Sequence, residues 1–292
     1  MSETEFTYFP GERWLNQAID FPQSSSPFLL ASSWKPTRKI SESSMTYTRE
    51  EAEKVWNEQP IAHATFECEN NQDPNKLAIL EVWMQIPYQG TLLSPRVRRE
   101  EQAWDSDPDS VKIGIDAYKL LHEKNCEYTP HLMGYLKGKQ DKWDPAGFVP
   151  GGNIYYVVVS KVPGVPLGDA FLQYIGDGRT YDAGFFWDVC TRAMRDQIRD
   201  AFSRAYEDLL KAEVTICMKT LSKLFWDQGS ENVYIQGAFE VLNPQIPYYP
   251  SYSLEPYGPK VLRIWHLAIA PDVRDVEYNV PIDKLEEMGW IL

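Results

Sequence analysis

The amino-acid sequence predicts an α+β fold in which antiparallel strands come first and the longest helix comes late. The segments 61–70 and 76–86 are rich in β-branched and aromatic residues and flank the polar turn NNQDPN, which indicates a strand hairpin. The segment 185–212 has apolar residues at steps of three to five, which favours one long amphipathic helix with the apolar stripe Val189, Ala193, Ile198, Phe202, Ala205 and Leu209. A chain of 292 residues has room for one large domain or for two lobes.

The N-terminal segment 1–60 differs from the rest because it is rich in serine, proline and charged residues. This composition predicts an arm that is partly extended. Within it, the stretch TREEAEKVWNE (48–58) predicts a short helix, since Thr48 and Glu51 have the spacing of a capping box.

Three further segments complete the order of elements. Residues 111–125 have the pattern of a helix, and residues 151–167 contain the buried strand IYYVVVS followed at once by a Pro/Gly connector. Residues 219–241 read as a strand, a turn and a second strand. Beyond residue 242 the chain is rich in proline and tyrosine, as in the run 246–257.

Composition and charge argue against two classes of partner. The formal net charge is −13 and the isoelectric point is about 4.8, whereas phosphate binding needs a basic face, so we expect no nucleic-acid partner. An anionic membrane surface is disfavoured for the same reason. No apolar run is long enough to span a bilayer, and the N-terminal stretch lacks the apolar core of a signal peptide.

The cysteines and histidines predict neither a metal site nor another cofactor. The four cysteines lack C-x-x-C spacing, and the four histidines are far apart. With no N-x-S/T acceptor, scattered cysteines indicate a reducing, cytoplasmic setting. The acidic run 105–116 has carboxylates at calcium-loop spacing, but Ser110 replaces the required glycine and Pro108 interrupts the run, so we expect a solvated turn.

The order of strands, helix, strand with a V-P-G-V-P-L connector, long helix and hairpin resembles the two-lobe protein-kinase fold. More narrowly, it is similar to the fungal protein-kinase-like and aminoglycoside-phosphotransferase-like proteins. The segments that carry the resemblance are 78–87, 117–135, 149–167 and 224–240. The resemblance implies a mainly antiparallel small lobe at 61–160 and a helical large lobe at 161–292 that includes the Pro/Tyr-rich extension.

The resemblance also implies where the groups for phosphoryl transfer from ATP should lie. A glycine-rich loop should precede the third strand, yet no glycine occurs between Gly11 and Gly90. The strand lysine that pairs with phosphates falls on Glu81, whose negative charge would repel them.

The catalytic loop and the metal-binding element are also altered at the positions that the resemblance implies. The His, Asp and Asn of the loop fall on Ile216, Met218 and Lys223, and residues 214–226 contain none of these residue types and no glutamate. The metal-binding Asp-Phe-Gly-type element falls on GAFE, which comprises Gly237, Ala238, Phe239 and Glu240, with Gly237 or Ala238 in place of the aspartate.

The sequence therefore predicts a kinase-fold protein without phosphotransferase activity, a binding or scaffolding pseudokinase whose partner is a small molecule or a protein. The alternative is a kinase-fold enzyme of fungal secondary metabolism that cyclises or isomerises a small apolar metabolite, and an atypical ATP-dependent phosphotransferase is the third hypothesis. The candidate ligand cleft comprises Glu81, Lys161, Val162, Pro163, Gly164, Met218, Phe239 and Glu240.

Two acids in this set have two interpretations each. Glu81 is either an acid of the cleft or, if the strand's alternation is inverted, a solvent-facing residue. Glu240 is either a cleft acid or lone metal ligand, or the ion-pair partner of an arginine.

Overall fold

The computed structural model describes residues 6–22, 32–144, 147–174, 179–242, 255–271 and 276–292. The chain divides into two compact units. The first unit comprises Met1–Ile115 and His131–Lys161, and the second comprises Asp116–Pro130 and Val162–Leu292. The second unit thus takes residues 116–130 from within the segment that was predicted as the small lobe.

The first unit contains a six-stranded antiparallel sheet with the strand order β1-β2-β3-β4-β6-β5. Its strands are β1 Ile19–Phe21, β2 Ser32–Met45, β3 Ile61–Asn70, β4 Leu77–Gln85, β5 Leu132–Lys139 and β6 Asn153–Ser160. The predicted hairpin of two strands around the NNQDPN turn is confirmed as β3 and β4, which pair from Glu69↔Leu77 to Ile61↔Gln85.

The helical segments between residues 6 and 123 are short, except for α3. They are α1 Gly11–Trp14, a π-helical turn Glu51–Trp56, α2 Arg96–Glu100 and α3 Asp109–Glu123. The helix predicted at 111–125 is α3, which begins and ends two residues earlier.

Strand β2 corrects the prediction of a separate N-terminal arm over 1–60. It pairs with β3 from Trp34↔Asn70 to Met45↔Ile61 and is therefore part of the sheet. Many of its side chains are exposed, so the sequence lacks the apolar alternation by which strands are recognised. The predicted capping box is present, because the Thr48 backbone N–H donates to Glu51 Oε2 at 2.8 Å and the Glu51 N–H to Thr48 Oγ1 at 3.2 Å.

The main apolar cluster of the first unit lies on one face of the sheet. On β4 it takes Ala78, Leu80, Val82 and Met84, which alternate along the strand. These residues pack with the aromatic side chains of Phe9, Trp14, Phe21, Trp34 and Phe66. Burial of each large apolar side chain contributes about 1.5–3 kcal/mol, so this face fixes the register of the sheet.

The described residues of the second unit form seven short strands in three small antiparallel sheets. β10 pairs with β13, β11 pairs with both β12 and β7, and β8 pairs with β9. The strands are β7 Val165–Pro166, β8 Leu172–Tyr174, β9 Thr180–Asp182, β10 Val214–Ile216, β11 Leu224–Asp227, β12 Asn232–Ile235 and β13 Phe239–Val241. The predicted second hairpin is β11 and β12, and its first strand begins at Leu224 rather than at residue 219.

The helices of the second unit include one long one. Its helical segments, besides the end of α3, are a π-helical turn Phe185–Val189, α4 Arg192–Ala212, α5 Pro259–Ile264 and 3₁₀ turns at Leu221–Lys223, Ile282–Lys284 and Glu286–Met288. The described part of this unit is therefore mixed, where the sequence predicted a helical lobe. Strands of two to four residues are too short to show a period in the sequence.

Helix α4 begins later than the prediction of 185–212. Thr191 is its N-cap, and the Thr191 side chain accepts a hydrogen bond from the Met194 N–H at 3.3 Å. Val189, which was predicted on the buried stripe, precedes the helix and is 65% exposed. Ala193 of the same stripe is also exposed, whereas Ile198, Phe202, Ala205 and Leu209 are buried as predicted.

Among the described helices, none combines the length and the apolarity that a membrane span needs. Of the proline- and tyrosine-rich run 246–257, residues 246–254 lie outside the described residues.

Candidate functional site

The β10–β11 loop, residues 217–223, lies at the position of the predicted catalytic loop in the second unit. Ile216 precedes it and is 1% exposed, whereas Met218 is 65% exposed. Lys223 ends the 3₁₀ turn that leads into β11. The three residues implied at catalytic positions therefore lie in the core, at the surface and in a turn.

The structure brings this loop together with the GAFE segment. The Cys217 N–H donates to the Ala238 carbonyl oxygen at 3.1 Å, and the Gln236 N–H donates to the Lys223 carbonyl oxygen at 2.9 Å. Next to them, Ile216 pairs with Phe239 in the β10–β13 ladder.

Gly237 occupies one of the two positions implied for the metal-binding aspartate. A Cβ atom on Gly237 would lie 2.4 Å from Ile216 Cδ1 and 3.3 Å from Lys223 Cδ. An aspartate there would have to displace the buried Ile216 side chain. The other position, Ala238, is exposed, and the next residue, Phe239, packs edge-on against Tyr118 at 5.5 Å between ring centroids.

Glu240 faces a thiol in this site. The Cys217 thiol donates to Glu240 Oε1 at 2.6 Å. Desolvation, and then this hydrogen bond, raise the pKa of Cys217 to about 12, so at neutral pH the sulfur is protonated and is a poor nucleophile. Desolvation lowers the pKa of the neighbouring Lys219, and the charges of Cys217 and Glu240 oppose that shift. Among the described residues, the hydrogen-bond partner found for Glu240 is thus a cysteine, not the arginine that one interpretation predicted.

Asp182 is a second acid beside the loop, at a position that was not predicted from the sequence. It ends β9 and is 1% exposed, and its Oδ2 accepts a hydrogen bond from the Leu221 N–H at 2.9 Å. Burial raises the pKa of Asp182, although the nearby His266 lowers it. Within the described residues, no group donates to its Oδ1. A signal for it in the sequence is a single aspartate within the aromatic-rich stretch TYDAGFFW.

The connector that follows β6 forms a tight contact within the second unit. Val165 and Pro166 pair with β11, and Gly164 has a φ of +93°, in the left-handed region. A Cβ atom on Gly164 would lie 2.3 Å from the Trp226 carbonyl oxygen. Only glycine fits both this conformation and this approach. Of the two preceding residues, Val162 is buried and Pro163 is exposed.

Glu81 and Lys161, the remaining members of the predicted cleft, belong to the first unit. Glu81 is 7% exposed between its cross-strand neighbours Thr65 and Val157, on the sheet face opposite the main apolar cluster. The interpretation of Glu81 as a solvent-facing residue is therefore wrong. Lys161 forms an ion pair with Glu67 at 2.5 Å.

The acidic run 105–116, which has carboxylates at calcium-loop spacing, contacts other protein side chains and leads into α3. Asp107 accepts hydrogen bonds from the Tyr155 hydroxyl at 2.6 Å and pairs with Lys137 at 2.5 Å, and α3 begins at Asp109. In the part of the chain that the structure describes, no group of three histidine, cysteine, aspartate or glutamate side chains could hold a metal ion.

No protein-family model matches this chain, and no curated protein matches it. Among solved structures, it is similar to vaccinia related kinase 3, with 13% sequence identity, a TM-score of 0.37 and coverage of 83% of this chain and 56% of that one. It is also similar to the kinase PK-1 of Cydia pomonella granulovirus, with 13% identity, a TM-score of 0.41 and coverage of 87% and 74%. The chain thus spans little more than half the length of vaccinia related kinase 3. Since both TM-scores lie below 0.5, the kinase-like fold remains an interpretation of the element order.

Proposed function

We propose that this protein has a kinase-like fold, does not transfer phosphate, and acts by binding a small molecule or a protein partner. The order of its elements supports the fold. An antiparallel sheet is followed by a connector, the long helix α4, the β10–β11 loop and the hairpin of β11 and β12, as in the resemblance that the sequence suggested.

The packing of Gly237 carries the proposal of inactivity. Phosphoryl transfer depends on aspartate-held magnesium, and the position implied for that aspartate has no space beside Ile216. Ala238, the alternative position, has the space but has no ligand atom on its side chain.

The charge of Glu81 supports the same conclusion from the first unit. The strand position implied for the phosphate-binding lysine carries a buried carboxylate in this protein. Because electrostatic stabilisation of the transferring group supplies most of the rate in such enzymes, loss of both the lysine and the metal ligand would leave no useful activity.

Nucleotide binding and phosphate transfer test this proposal directly. We expect the thermal unfolding midpoint of the full chain to be unchanged by ATP with Mg²⁺ over a wide concentration range, and no phosphate to move to protein, peptide or small-molecule acceptors. A ligand at a hundred times its Kd stabilises by about 2.7 kcal/mol, so real binding would be visible. Transfer of phosphate from ATP to any of these acceptors would overturn the proposal, and a midpoint that rises with nucleotide concentration only when Mg²⁺ is present would contradict the loss of phosphate and metal ligands on which it is argued.

The contact between Glu240 and the Cys217 thiol favours a second candidate, a repurposed enzyme that acts on a small apolar metabolite. In that case Glu240 would serve as the acid or base. Native mass spectrometry of the purified protein separates the candidates. A binding protein would carry the same molecule in the wild type and in Glu240→Gln, whereas an enzyme would carry its product in the wild type and its unconverted substrate in the variant.

A further inference from the structure

The pair of strands β8 and β9 in the second unit exposes three large apolar side chains close together in the sequence. Phe171, which precedes β8, is 71% exposed, and Leu172 and Tyr174 within β8 are 59% and 81% exposed. All three residues of β8 are exposed, whereas β9 ends at the buried Asp182. Exposed apolar side chains that cluster in this way are typical of an interaction surface.

Strand β8 also has a backbone edge that pairs with no other strand of the described residues. Its one strand partner among them is β9. At the start of this pair, the Ala183 N–H donates to the Phe171 carbonyl oxygen at 2.8 Å. Because such bonds fall on alternate residues of an antiparallel ladder, Gln173 turns its N–H and C=O toward β9, whereas Leu172 and Tyr174 turn theirs away from it. The outer edge of β8 can therefore accept a further strand.

This edge is short, but it lacks the other features by which proteins protect an open strand. Such edges commonly carry charged side chains, prolines or a β-bulge. The residues FLQY, 171–174, include no charge and no proline, and β8 pairs with β9 in a regular register. An exposed edge without these features is what the addition of a strand from another molecule requires.

The two faces of this strand pair differ in chemistry. Side chains alternate along a strand, so Leu172 and Tyr174 lie on one face, and Gln173 lies on the other together with its cross-strand neighbour Tyr181. On that second face, the Tyr181 hydroxyl donates to Oδ1 of the exposed Asp188 at 3.1 Å. An added strand would thus meet apolar side chains on one face and a carboxylate on the other.

Two exposed carboxylates beside this edge favour a basic partner. Within the described residues, both accept hydrogen bonds from uncharged groups, Asp169 from the Phe171 N–H at 2.9 Å and Asp188 from the Gly184 N–H at 2.7 Å. Arg179, the cation that precedes β9, donates to backbone carbonyl oxygens of the C-terminal part of the unit. The net charge of −13 adds a long-range attraction for a cationic segment.

We propose that β8 is the docking edge for an extended segment of a partner protein in which apolar residues alternate with lysine or arginine. The segment adds as a strand beside β8, its apolar side chains pack on Leu172 and Tyr174, and its cations pair with Asp188 and Asp169. This inference names the kind of protein partner in the proposed function and rests on it to that extent. It uses none of the residues of the β10–β11 loop and does not depend on the loss of phosphate transfer.

Fluorescence anisotropy of a labelled peptide of alternating lysine and valine, titrated with the full chain, tests the edge. We expect this peptide to bind about tenfold or more tightly than a peptide of alternating glutamate and valine at about 0.15 M salt. Equal binding of the two peptides, or no binding of the lysine peptide at millimolar concentration, would overturn the docking proposal. Phosphate transfer is measured separately, so this failure is distinguishable from failure of the proposed function.

Two exposed leucines provide the variant and its matched control. Leu172→Lys puts a positive charge on the edge and removes an apolar contact, so it should weaken binding of the lysine peptide about tenfold. Leu93→Lys makes the same substitution and the same change of charge at a residue of the first unit that is 96% exposed, and should change binding by less than about twofold. Equal effects would mean that the peptide responds only to the net charge of the chain, which would contradict the edge.

A second variant tests the backbone of the edge. Leu172→Pro removes an N–H that points away from β9, a position at which an edge strand tolerates proline, and should also weaken binding of the lysine peptide about tenfold. Unchanged binding by the folded variant would rule out strand addition, and if the variant does not fold, Leu172→Lys at the same exposed residue decides. Sedimentation without peptide checks the other occupant: a dimer that Leu172→Lys abolishes would assign the edge to a second copy of this chain and overturn the proposal.

Discussion

In the first unit, Glu81 lies in the middle of a regular strand, whereas in the second unit the β10–β11 loop is held by residues that are distant in the sequence. The neighbours of Glu81 follow from the register of β3, β4 and β6. The neighbours of the loop are Asp182, 39 positions before its partner Leu221, and Glu240, 23 positions after Cys217. The strand site can thus be located from the sequence pattern, but the chemistry of the loop site depends on tertiary contacts.

The largest expected effect concerns the reactivity of Cys217, which lies in the loop. The pKa of Cys217 is raised from 9.0 to about 12. Near pH 8 its thiolate fraction, and therefore its rate of labelling by iodoacetamide, should be about a thousandfold lower than for a cysteine with an unperturbed pKa. Peptide mass spectrometry would follow labelling at this residue. Glu240→Gln removes the carboxylate but not the desolvation, so labelling should become faster; equal rates in both proteins would show that Glu240 does not act on the thiol.

The connector provides the next largest effect and contrasts a crowded glycine with an open one. Gly164→Ala should lower the free energy of unfolding by about 3 kcal/mol, because the new Cβ would meet the Trp226 carbonyl oxygen in a left-handed conformation. Its control is Gly90→Ala in the first unit, where φ is +81° but the new Cβ would have no atom within 4 Å apart from its chain neighbours. The free energy of unfolding should therefore fall by only about 1 kcal/mol. Urea unfolding measures both, and equal losses would contradict the close contact at Gly164.

The two positions implied for the metal-binding aspartate should respond differently to that residue. Gly237→Asp should destabilise the protein by about 2 kcal/mol because the side chain must displace Ile216. Ala238→Asp, at an exposed neighbour, should cost less than about 0.5 kcal/mol. The difference in denaturation midpoint is the measurement, and a tolerated aspartate at Gly237 would remove the packing argument for inactivity.

The smallest effect is the pH dependence contributed by Asp182. Because burial raises the pKa of Asp182 above its unfolded value of 3.8, its contribution to stability is full below that value and is lost as pH rises through the folded pKa. Asp182→Asn has no such titration, and its carbonyl oxygen can still accept from the Leu221 N–H. The wild type should therefore lose stability relative to the variant as pH rises through the folded pKa. Parallel stability profiles of the two proteins would mean that Asp182 is not perturbed.

Much of the fold was predictable because its strongest signals are local. The β3–β4 hairpin, the strand β6, α3 and the buried stripe of α4 follow from periodicity and turn residues. Strand β2 was missed as a sheet member because half of its side chains are exposed and most are polar, so its pairing with β1 and β3 defines it. The start of α4 was placed too early because Phe185–Val189 continues the apolar pattern in a different kind of helical turn.

The sequence by itself determined which residue types are absent from β4 and from the β10–β11 loop. The lack of a lysine in the strand, or of an aspartate or asparagine in the loop, can be read directly from the residues at those positions. Only the tertiary structure decided what surrounds the residues present. It buried Glu81, closed the space at Gly237 with Ile216, and placed a cysteine against Glu240. The reason is physical: desolvation, packing and hydrogen bonding depend on atoms that the fold brings together from distant parts of the chain.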